Sequence, residues 1–592
     1  MIRVVQGIWI LVRLSIRKHP RESLLCLTET AGVVVSLTQP VALTLMASAL
    51  VSSDTLQAWA GLALLVGQAI ASRCLFMVGQ TARQNQLARM GYEFTEDVGA
   101  MVANLPTLSD LDDPRTRDEL RLLKDEQGAL GLAINSLLNG VNSLVTGAGV
   151  VVVAASADHR MMIVALAGLP ATLVVPLLAA WQVKADRQGA AHGRLMEDLG
   201  RIALSPRSAG ELRVFGLGSG LLDRISHEAQ QWLRPRSWLA RREAFVTGVL
   251  QLVFYIVAGL ILLWIAYDTT TGQTSVAAFV LSMLIATQLQ SATGELAESI
   301  QLLVRTGRAG QRLLWLRNLH SVAQARTGQQ IIPRNPTAPV TLTEVGYQYP
   351  GATTPALIGV SVSLRPGTVV AIVGDNGAGK STLANLLAAL IQPSTGHITI
   401  RNQDLAGLDP QSWRDQSSAA FQDHLRMEFP VLDAVGCGDI THRHDPERVL
   451  GALTQAGLRT VVDQLPSGLH TMLGPTWTEG TDLSGGQWQR VAIARGEMRR
   501  QPRIRILDEP TANLDAHTEH AIFDSLTTSA TTGRQGDTLT VLVTHRFSTV
   551  ATADKILVLH EGRLIELGNH EQLMALQGHY AELFELQSSG YQ

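Results

Sequence analysis

The sequence predicts a chain of two domains, an all-α domain of six long apolar helices followed by an α/β domain. Three observations predict this division. Six stretches before residue 300 are apolar enough to cross a bilayer, strand-like and helix-like runs alternate after about residue 338, and a polar segment with two prolines lies between. The predicted division is a membrane domain at residues 1–323, a linker at 324–338 and a second domain at 339–592.

The composition favours a membrane protein. Charged residues make up 17% of the 592 residues and apolar residues 46%, whereas an average soluble chain is about a quarter charged. The formal net charge of −3 argues against a nucleic-acid partner. The scattered Cys26, Cys74 and Cys437 indicate neither a disulfide framework nor a cysteine metal site.

The predicted helical elements begin with an amphipathic segment at residues 2–16. Basic residues follow it and Arg13 interrupts it, so we expect it to lie on the inner membrane face and not to be a cleavable signal. Six apolar segments follow, each long enough to span the hydrocarbon core as a helix. The predicted spans are 31–52, 56–78, 129–155, 160–181, 244–267 and 275–297.

Loop length and charge predict the topology. Short loops join the spans in pairs, whereas spans two to three and four to five are separated by long, polar, Arg-rich connections with helical periodicity. Residues 182–243 carry ten arginines and Lys184, and Arg160 is the exception in the short loops. The positive-inside rule therefore predicts a multi-pass protein of the cytoplasmic membrane, with the long loops, both termini and the second domain in the cytoplasm.

Polar residues inside the predicted spans form a candidate substrate path. Asn135, Asn139 and Asn142 are spaced i, i+4, i+7 and share one helix face, and Gln288 is a further candidate. Hydrogen bonds between helices are the alternative role for these residues, and both roles stay open at this point.

A glycine-rich loop is the first motif of the second domain that predicts a binding site. In AIVGDNGAGKSTL, residues 371–383, an apolar strand leads into the loop and then a helix, which fits the phosphate-binding pattern G-x4-G-K-[ST]. Lys380 would neutralise the phosphates, and Ser381 would ligate Mg²⁺. The predicted nucleotide-binding residues of the loop are Gly374, Asp375, Asn376, Gly377, Ala378, Gly379, Lys380, Ser381 and Thr382.

An acidic pair follows another apolar strand in RIRILDEPTANLD, residues 503–515. We predict that Asp508 holds Mg²⁺ and that Glu509 polarises the attacking water as a general base. His545 ends the strand-like run LTVLV and is predicted to contact the γ-phosphate. These motifs together predict a site that binds ATP with Mg²⁺ and hydrolyses it.

A second phosphate cradle lies in LSGGQWQR, residues 483–490. A Ser-Gly-Gly turn before a helix offers backbone N–H groups to an anion, and its predicted nucleotide-binding residues are Ser484, Gly485, Gly486 and Gln487. One site does not need two cradles. The duplication therefore predicts that this segment completes a site on a second copy of the chain.

The ordered motifs resemble those of the ATP-binding cassette (ABC) superfamily. They are GDNGAGKST, Gln422 in AAFQDH, LSGGQ, ILDEP, Leu514-Asp515 and Thr544-His545. With six spans in front, the whole chain resembles an exporter half-transporter, similar to bacterial peptide and multidrug exporters. The resemblance implies an all-α six-helix transmembrane domain followed by an α/β P-loop nucleotide-binding domain. It implies ATP-driven export of a small molecule, peptide or lipid by alternating access in a dimer, with a homodimer favoured over a heterodimer.

The same resemblance implies roles for further residues. Tyr349 would stack on adenine, Gln422 would sense Mg²⁺ and the attacking water, and Asp515 would cross the dimer interface. Segments near 105–115 and 205–218 resemble coupling helices that dock on the nucleotide domains.

Departures from the family pattern and rival functions remain. Arg505 stands where an apolar residue is usual, Gly496 replaces a common alanine, and TWTEGTD precedes LSGGQ in place of the usual pattern. None of these removes a catalytic group, so we expect hydrolysis to survive. A soluble P-loop ATPase, an exporter-shaped importer of siderophore-like cargo and an ATP-switched regulatory protein remain alternatives, and the cargo is unassigned.

Overall fold

The chain forms two units in the computed structural model, which describes residues 2–52, 55–206, 208–328, 330–332, 338–510, 538–544 and 546–589. The first unit comprises Met1–Ala100 and Leu122–Leu316, and the second comprises Met101–Arg121 and Arg317–Gln592. The second unit therefore includes a short segment from the first half of the chain. The domain boundaries and the linker at 324–338 stay a prediction.

Residues up to 326 form helices, as their long apolar runs and few internal breakers predict. Proline begins two of them, at Pro20 and Pro114, where the first turn needs no backbone N–H. In chain order, helices α1 to α12 are Ile2–Lys18, Pro20–Ser36, Gln39–Ser52, Thr55–Ala103, Ser109–Asp112, Pro114–Asp125, Gln127–Gly131, Ala133–Ala157, Met161–Leu204, Ala209–Val214, Gly218–Thr270 and Val276–Arg326.

Five apolar segments of the described residues overlap the first five predicted spans, whose bounds stay a prediction. The first predicted span is not one continuous helix, because helix α2 ends at Ser36 and α3 begins at Gln39, just before Pro40. The sixth predicted span lies in α12, where several polar residues interrupt the apolar run, and it stays a prediction. Among the described residues, the segments long and apolar enough to cross a membrane are Pro20–Leu43, Thr55–Ala103, Ala133–Ala157, Met161–Leu204 and Gly218–Thr270.

The Arg-rich connection between spans four and five is helical, because α9 and α11 continue well beyond their apolar parts. A small residue allows close packing there, since a Cβ at Gly193 would lie 2.8 Å from the Trp232 ring. An ion pair between Asp186 and Arg236 (2.8 Å) and a hydrogen bond between His192 and Glu228 (2.7 Å) join the same two helices. The predicted helical extension of these two spans is therefore present.

Arg160, the exception to the charge pattern, is neutralised locally. Its guanidinium pairs with Asp158 at 3.1 Å and with Asp268 at 2.7 Å, and it stacks 4.8 Å above the Trp264 ring. Because this arginine is paired, it is compatible with the predicted outward location of the short loop between spans three and four.

The N-terminal segment forms helix α1, which is amphipathic as predicted. Leu11 is buried, whereas Val5 and Trp9 are exposed. Gly7 faces Gly307 of α12 so closely that a Cβ on either residue would meet the other helix. Small residues at such crossings let two helices approach at backbone distance.

Among its described residues beyond 338, the second unit carries two sheets. A four-stranded antiparallel sheet has the order β2-β1-β4-β5, and a six-stranded sheet has the order β10-β9-β3-β8-β7-β6, parallel except for β10. Strands β1 to β10 are Val340–Tyr347, Leu357–Leu364, Val369–Gly374, Thr395–Ile400, Gln403–Asp404, Ser417–Ala420, Ile504–Asp508, Leu539–Val543, Lys555–His560 and Arg563–Gly568. Helices α13 to α21 are Lys380–Leu387, Pro410–Arg414, Val431–Gly436, Pro446–Gln455, Arg459–Asp463, Gly485–Glu497, Phe547–Val550, His570–Leu576 and His579–Ser589.

The central strands explain the α/β prediction. Every residue of β7 and β8 is buried, and so are the first five of β3. Parallel strands covered on both faces have such continuous apolar runs. The α/β class predicted for this part of the chain is confirmed.

Candidate nucleotide site

Two parallel strands place the predicted chemistry at one edge of the six-stranded sheet. Strand β3 ends at Gly374, before the phosphate-binding loop, and β7 ends at Asp508, before Glu509. Strand β8 lies between them, with Val543 opposite both Ile372 and Asp508. Because the carboxyl ends of parallel strands meet at one edge of a sheet, the loop and the acidic pair lie together.

The loop requires glycine at two positions. Gly374 and Gly379 have φ angles of 143° and 97°, which side chains disfavour. A Cβ at Gly374 would clash with the carbonyl oxygen of Leu559, and one at Gly379 would lie 2.5 Å from that of Ala356. The glycines therefore let the loop pass directly against neighbouring backbone.

Lys380 begins α13 and folds back over the loop. Its ammonium donates to the carbonyl oxygens of Gly374 (2.7 Å) and Asp375 (2.9 Å). Burial lowers the pKa of Lys380, and the nearby carboxylates of Glu509 and Asp508 oppose this effect. The Lys380 ammonium is thus held against the predicted phosphate-binding loop. Around it, Asn376 and Gly377 are exposed and Ala378 is buried.

Oxygen donors suited to Mg²⁺ meet beside the loop. The Ser381 hydroxyl lies 3.5 Å from Oδ1 of Asp508. Burial raises the pKa of Asp508, an effect that a bound cation would offset. Gln422 adds an amide oxygen nearby, since its side chain bonds Glu509. Mg²⁺ prefers hard oxygen ligands, so the residues present fit the ion.

Contacts to both the backbone and the side chain hold Glu509. The Glu509 N–H donates to the Val543 carbonyl at 2.8 Å, and the Glu509 carbonyl oxygen accepts from Gln489 Nε2 at 2.8 Å. Its side-chain Oε2 accepts from Gln422 Nε2 at 3.0 Å. The backbone has a φ of 48°, a strained value that the surrounding contacts maintain. The carboxylate is therefore oriented beside the predicted Mg²⁺ ligands.

Tyr349 lies against the start of α13. Its hydroxyl is 3.2 Å from the Thr382 hydroxyl, and its ring packs edge-to-face on Tyr347 with the ring centroids 4.9 Å apart. The half-buried ring is next to the phosphate-binding loop, as base stacking would require. Its contact with adenine stays a prediction.

Ser484 caps α18 with a reciprocal pair of hydrogen bonds. The Ser484 hydroxyl accepts from the Gln487 N–H at 3.3 Å, and the Gln487 side chain accepts from the Ser484 N–H at 2.8 Å. Gly485 and Gly486 form the first turn, where N–H groups lack intrahelical partners. The end of this helix is thus preformed, and its predicted contact with a second subunit's ATP stays a prediction.

Two predicted residues, His545 and Asp515, lie outside the described residues, so their roles stay predictions. The adjacent Thr544 is described and buried, and its hydroxyl accepts from the Arg546 N–H at 3.0 Å.

Two departures from the family pattern have local compensation. Arg505 is buried in β7 and pairs with Glu497 of α18 at 2.9 Å. Gly496 brings α18 close to β6, because its carbonyl accepts from the Ser418 hydroxyl at 2.7 Å and a Cβ there would lie 3.1 Å from that hydroxyl. Both residues serve the packing of α18 against the sheet.

Sequence reasoning missed two sets of partners. Gln489 holds the Glu509 backbone, and its place within LSGGQWQR was the available signal. The carboxylate of Asp375 lies 3.0 Å from His560 Nδ1 and 3.3 Å from His579 Nε2. The hydrogen bond from His560 holds the pKa of Asp375 below its usual range. No sequence signal pointed to these histidines, which are far from the loop along the chain.

The first predicted coupling segment contacts the nucleotide-binding fold. Residues 101–121 belong to the second unit, and the short helix α5 lies within them. Hydrogen bonds join this segment to the ATP-binding fold. The Leu108 N–H donates to the Leu390 carbonyl (2.7 Å), Arg414 donates to the Pro106 carbonyl (2.7 Å), and the Ser109 and Tyr347 hydroxyls lie 3.3 Å apart.

Polar residues of the predicted substrate path occupy two environments in the first unit. Asn139 accepts from Arg83 at 2.7 Å and Asn142 accepts from Thr30 at 2.7 Å, which are the interhelical hydrogen bonds of the alternative interpretation. Asn135 is half-buried. Gln288 instead lines a cavity of about 250 Å³. Its further lining includes Gln39, Thr146, Ser291 and Glu295.

Comparison with known proteins agrees with this geometry. The family model described as ABC transporter matches residues 357–512. An ATP-dependent lipid A-core flippase of Thiobacillus denitrificans is 30% identical over 464 residues, which cover 77% of this chain and 76% of the relative. A flippase with the same name from Methylobacillus flagellatus is 28% identical over 471 residues, covering 79% and 77%.

A solved structure supports the fold of the whole chain. A bacterial Atm1-family ABC exporter with ATP bound matches with a TM-score of 0.73 at 23% identity, covering 97% of this chain and 98% of that one. Together with the site geometry and the apolar helices, the relatives establish ATPase-coupled export across a membrane as the activity. The soluble, importing and regulatory alternatives are not favoured. The chain belongs to the ABC transporter family, as a half-transporter that joins one exporter-type membrane domain to one ATP-binding domain.

Proposed function

We propose that two identical chains form a dimer in the cytoplasmic membrane, close on two ATP–Mg²⁺ complexes and move a lipid-like amphipathic cargo outward. The observation that carries this proposal is the meeting of Lys380, the Ser381–Asp508 pair and the Gln422–Glu509 pair at one sheet edge. These groups supply a phosphate cation, Mg²⁺ ligands and an oriented base in one place.

Hydrolysis follows from that arrangement. Glu509 accepts a proton from a water molecule as the water oxygen bonds to the γ-phosphorus. The bond from that phosphorus to the β–γ bridging oxygen breaks, which releases ADP and inorganic phosphate. Lys380 offsets the negative charge of the phosphates, and Gln422 keeps the Glu509 carboxylate turned toward the water. Ser381 and Asp508 would hold Mg²⁺, which would supply positive charge to offset the negative charge of the phosphates.

Two features support a dimer. The preformed end of α18 at Ser484 is a second phosphate cradle within a chain that already has a complete loop. The second predicted coupling segment presents exposed apolar side chains, with Val214 at 80% and Phe215 at 68% exposure, and Leu204 just before it is 86% exposed. Exposed apolar patches on soluble surfaces mark docking sites. We assign this one to the nucleotide domain of the second subunit.

The cargo proposal rests on the relatives and on the cavity of the first unit. The relatives are named as lipid A-core flippases. The described lining of the cavity combines apolar, hydroxyl and amide side chains with one carboxylate, Glu295, and contains neither Lys nor Arg. The exposed Glu295 carboxylate attracts cations and repels anions. We therefore assign to the cargo an apolar tail with a neutral or cationic polar end.

Reconstitution into lipid vesicles tests the cargo. ATP hydrolysis is measured against amphiphiles that share one tail and carry a cationic, zwitterionic or anionic headgroup. The cationic and zwitterionic members should stimulate turnover more than the anionic one, and Glu295→Gln should remove that preference. Glu298→Gln, outside the cavity lining, is the matched control and should keep it. Equal stimulation by all three headgroups in the unaltered protein would contradict the charge assignment, and no stimulation with no lipid movement would contradict a lipid cargo.

A further inference from the structure

We propose that Asp375, His560 and His579 form a binding site for a divalent transition metal, Zn²⁺, on the rim of the phosphate-binding loop. Their ligand atoms all lie within 4.8 Å of one another. The site is separate from the predicted Mg²⁺ ligands, and the hydrolysis described above uses neither histidine.

The fold brings these residues together from three distant parts of the chain. Strands β3 and β9 run parallel with Gly374 opposite Leu559, so Asp375 and His560 leave the sheet side by side. His579 begins the last helix, α21, and its backbone N–H donates to Glu566 Oε1 at 2.5 Å. That anchor fixes the start of the helix and places its first side chain beside the loop.

The distances suit a tetrahedral metal. With metal–ligand bonds of about 2.0–2.1 Å, ligand atoms of a tetrahedral site lie roughly 3.3–3.4 Å apart. Asp375 Oδ2 is 3.0 Å from His560 Nδ1 and 3.3 Å from His579 Nε2. The two imidazole rings are 4.8 Å apart between centroids and inclined at 66°, so neither ring blocks the other. A small rotation of the side chains would close the triangle around an ion.

The ligand types select the metal. Two imidazoles and one carboxylate suit Zn²⁺ and its neighbours, whereas Mg²⁺ prefers oxygen ligands alone. The side chains of Asp375 and His560 are 47% and 44% exposed, which leaves a fourth position open to water. The other nitrogen of His579 lies 3.6 Å from Glu582 Oε2, beyond hydrogen-bond length, so the exposed Glu582 side chain would have to move closer to orient the histidine.

The position gives the metal an effect on nucleotide binding. Asp375 places a negative side chain on the loop that receives the negative phosphates, and its carbonyl oxygen accepts from Lys380. A bound Zn²⁺ would neutralise that carboxylate and tie the loop to the C-terminal helix. The KM for ATP should therefore fall by about two- to fivefold when the metal binds, because one nearby repulsive charge is removed.

Direct titration with Zn²⁺ tests the site. The full-length protein is purified through a tag without histidine, kept free of nucleotide and in excess Mg²⁺, and titrated by calorimetry. The unaltered protein should bind one Zn²⁺ per chain at this site, and His560→Ala/His579→Ala should weaken that binding by at least about tenfold. His397→Ala is the matched control, because His397 pairs with Asp404 at 2.7 Å without a second histidine in the cluster, and it should bind normally.

The variants must fold for the comparison to count. The double variant should hydrolyse ATP at the normal rate in excess Mg²⁺ with a chelator selective for Zn²⁺. If it does not, the single variant His579→Gln is used in its place. At fixed free Zn²⁺, the fall in KM should occur in the unaltered protein and be absent from the variant. Unchanged Zn²⁺ binding by the variants would overturn the site, and Zn²⁺ binding without a change in KM would overturn its effect on ATP.

Discussion

Arg505 and Glu497 form an ion pair almost fully removed from water, with side-chain exposures of 3% and 6%. Burial raises the pKa of Glu497, and the guanidinium opposes that rise. The pair joins β7, which ends at Asp508 before the predicted general base, to α18, which is capped by Ser484. A residue that breaks the apolar pattern of a strand thus links the two halves of the nucleotide site.

Removing one partner of this pair should destabilise the ATP-binding domain strongly. Arg505→Ala leaves the Glu497 carboxylate buried without its cation, which costs about 3–5 kcal/mol. The check is the midpoint of thermal denaturation of the purified protein, which should fall. Arg459→Ala breaks an exposed pair with Asp463 and should cost less than about 1 kcal/mol. Arg505→Leu/Glu497→Leu should recover most of the loss, and a melt of the double variant as low as that of Arg505→Ala would contradict the explanation.

Glu509→Gln should abolish most ATP turnover while ATP still binds. The amide cannot accept the proton of the attacking water, so hydrolysis should fall by about 10²–10⁴-fold. Release of phosphate and binding of a fluorescent ATP analogue give the two measurements. Glu344→Gln is the matched control, because Glu344 is another glutamate with positive φ, at 50°, and has no part in the site. Full turnover in Glu509→Gln would remove Glu509 from the role of general base.

Residues whose chemistry depends on local spacing were predictable, and residues that meet across the fold were not. The loop from Gly374 to Thr382 and the Asp508–Glu509 pair are contiguous motifs, so their order alone indicated the chemistry. Gln489, by contrast, acts through the carbonyl of Glu509, and that contact depends on how α18 packs on the sheet. The partner of Arg505 was hidden for the same reason.

At the scale of elements, the segment of residues 101–121 lies against the ATP-binding fold. Arg414 holds it by donating to the Pro106 carbonyl, and the backbone of Leu108 bonds that of Leu390. We expect this contact to transmit the closure of the ATP site to the membrane helices. Helix α4 enters the segment directly from a membrane-spanning stretch, so a displacement at one end is carried along a rigid helix.

Arg414→Ala should therefore uncouple transport from hydrolysis. The variant loses the hydrogen bond to Pro106 while the ATP-binding loop and Glu509 are unchanged, so cargo moved per ATP should fall several-fold with turnover largely kept. Transport and phosphate release measured in the same vesicles give the ratio. Arg563→Ala alters an exposed arginine of β10 and should leave the ratio unchanged. An unchanged ratio in Arg414→Ala would show that this contact does not couple the two processes.

The sequence predicted that these segments are helical, but it predicted less well where each helix begins and ends. Apolar length predicted where helices cross the membrane, and periodicity predicted that α9 and α11 continue beyond it. The interruption between Ser36 and Gln39 was missed because the apolar pattern runs through it unbroken. The packing of the helices could not be predicted from the sequence either. The close approach at Gly7 depends on Gly307, which is remote along the chain.

At the scale of the whole molecule, the proposed dimer predicts that each ATP site uses parts of both chains. Mixed dimers of Lys380→Ala chains with Ser484→Glu chains contain one site with both changes and one with neither. Such dimers, purified through two different tags, should bind ATP at one site and recover hydrolysis, whereas each variant alone should have none. Phosphate release by the three preparations measures this.

The reverse combination distinguishes shared sites from sites within one chain. A dimer of an unaltered chain with a Lys380→Ala/Ser484→Glu chain has one change in each shared site, so it should bind little ATP. Sites formed within single chains would leave the unaltered chain active in that dimer. Activity there, together with no recovery in the first combination, would rule out the shared arrangement.

The ATP-binding unit is discontinuous along the chain, and this has a consequence for how the protein is made. The atoms joined between Pro106 and Arg414 are 308 residues apart, and those of Ser109 and Tyr347 are 238 apart. At about 5–20 residues per second, the ribosome needs roughly 15–60 s to add 308 residues. During that interval the early segment waits at the membrane surface without its partner strands. Formation of this contact is therefore a long-range step. Variants of Pro106, Leu108 or Arg414 should lower the yield of folded protein more in rapid expression than their effect on the finished molecule would suggest.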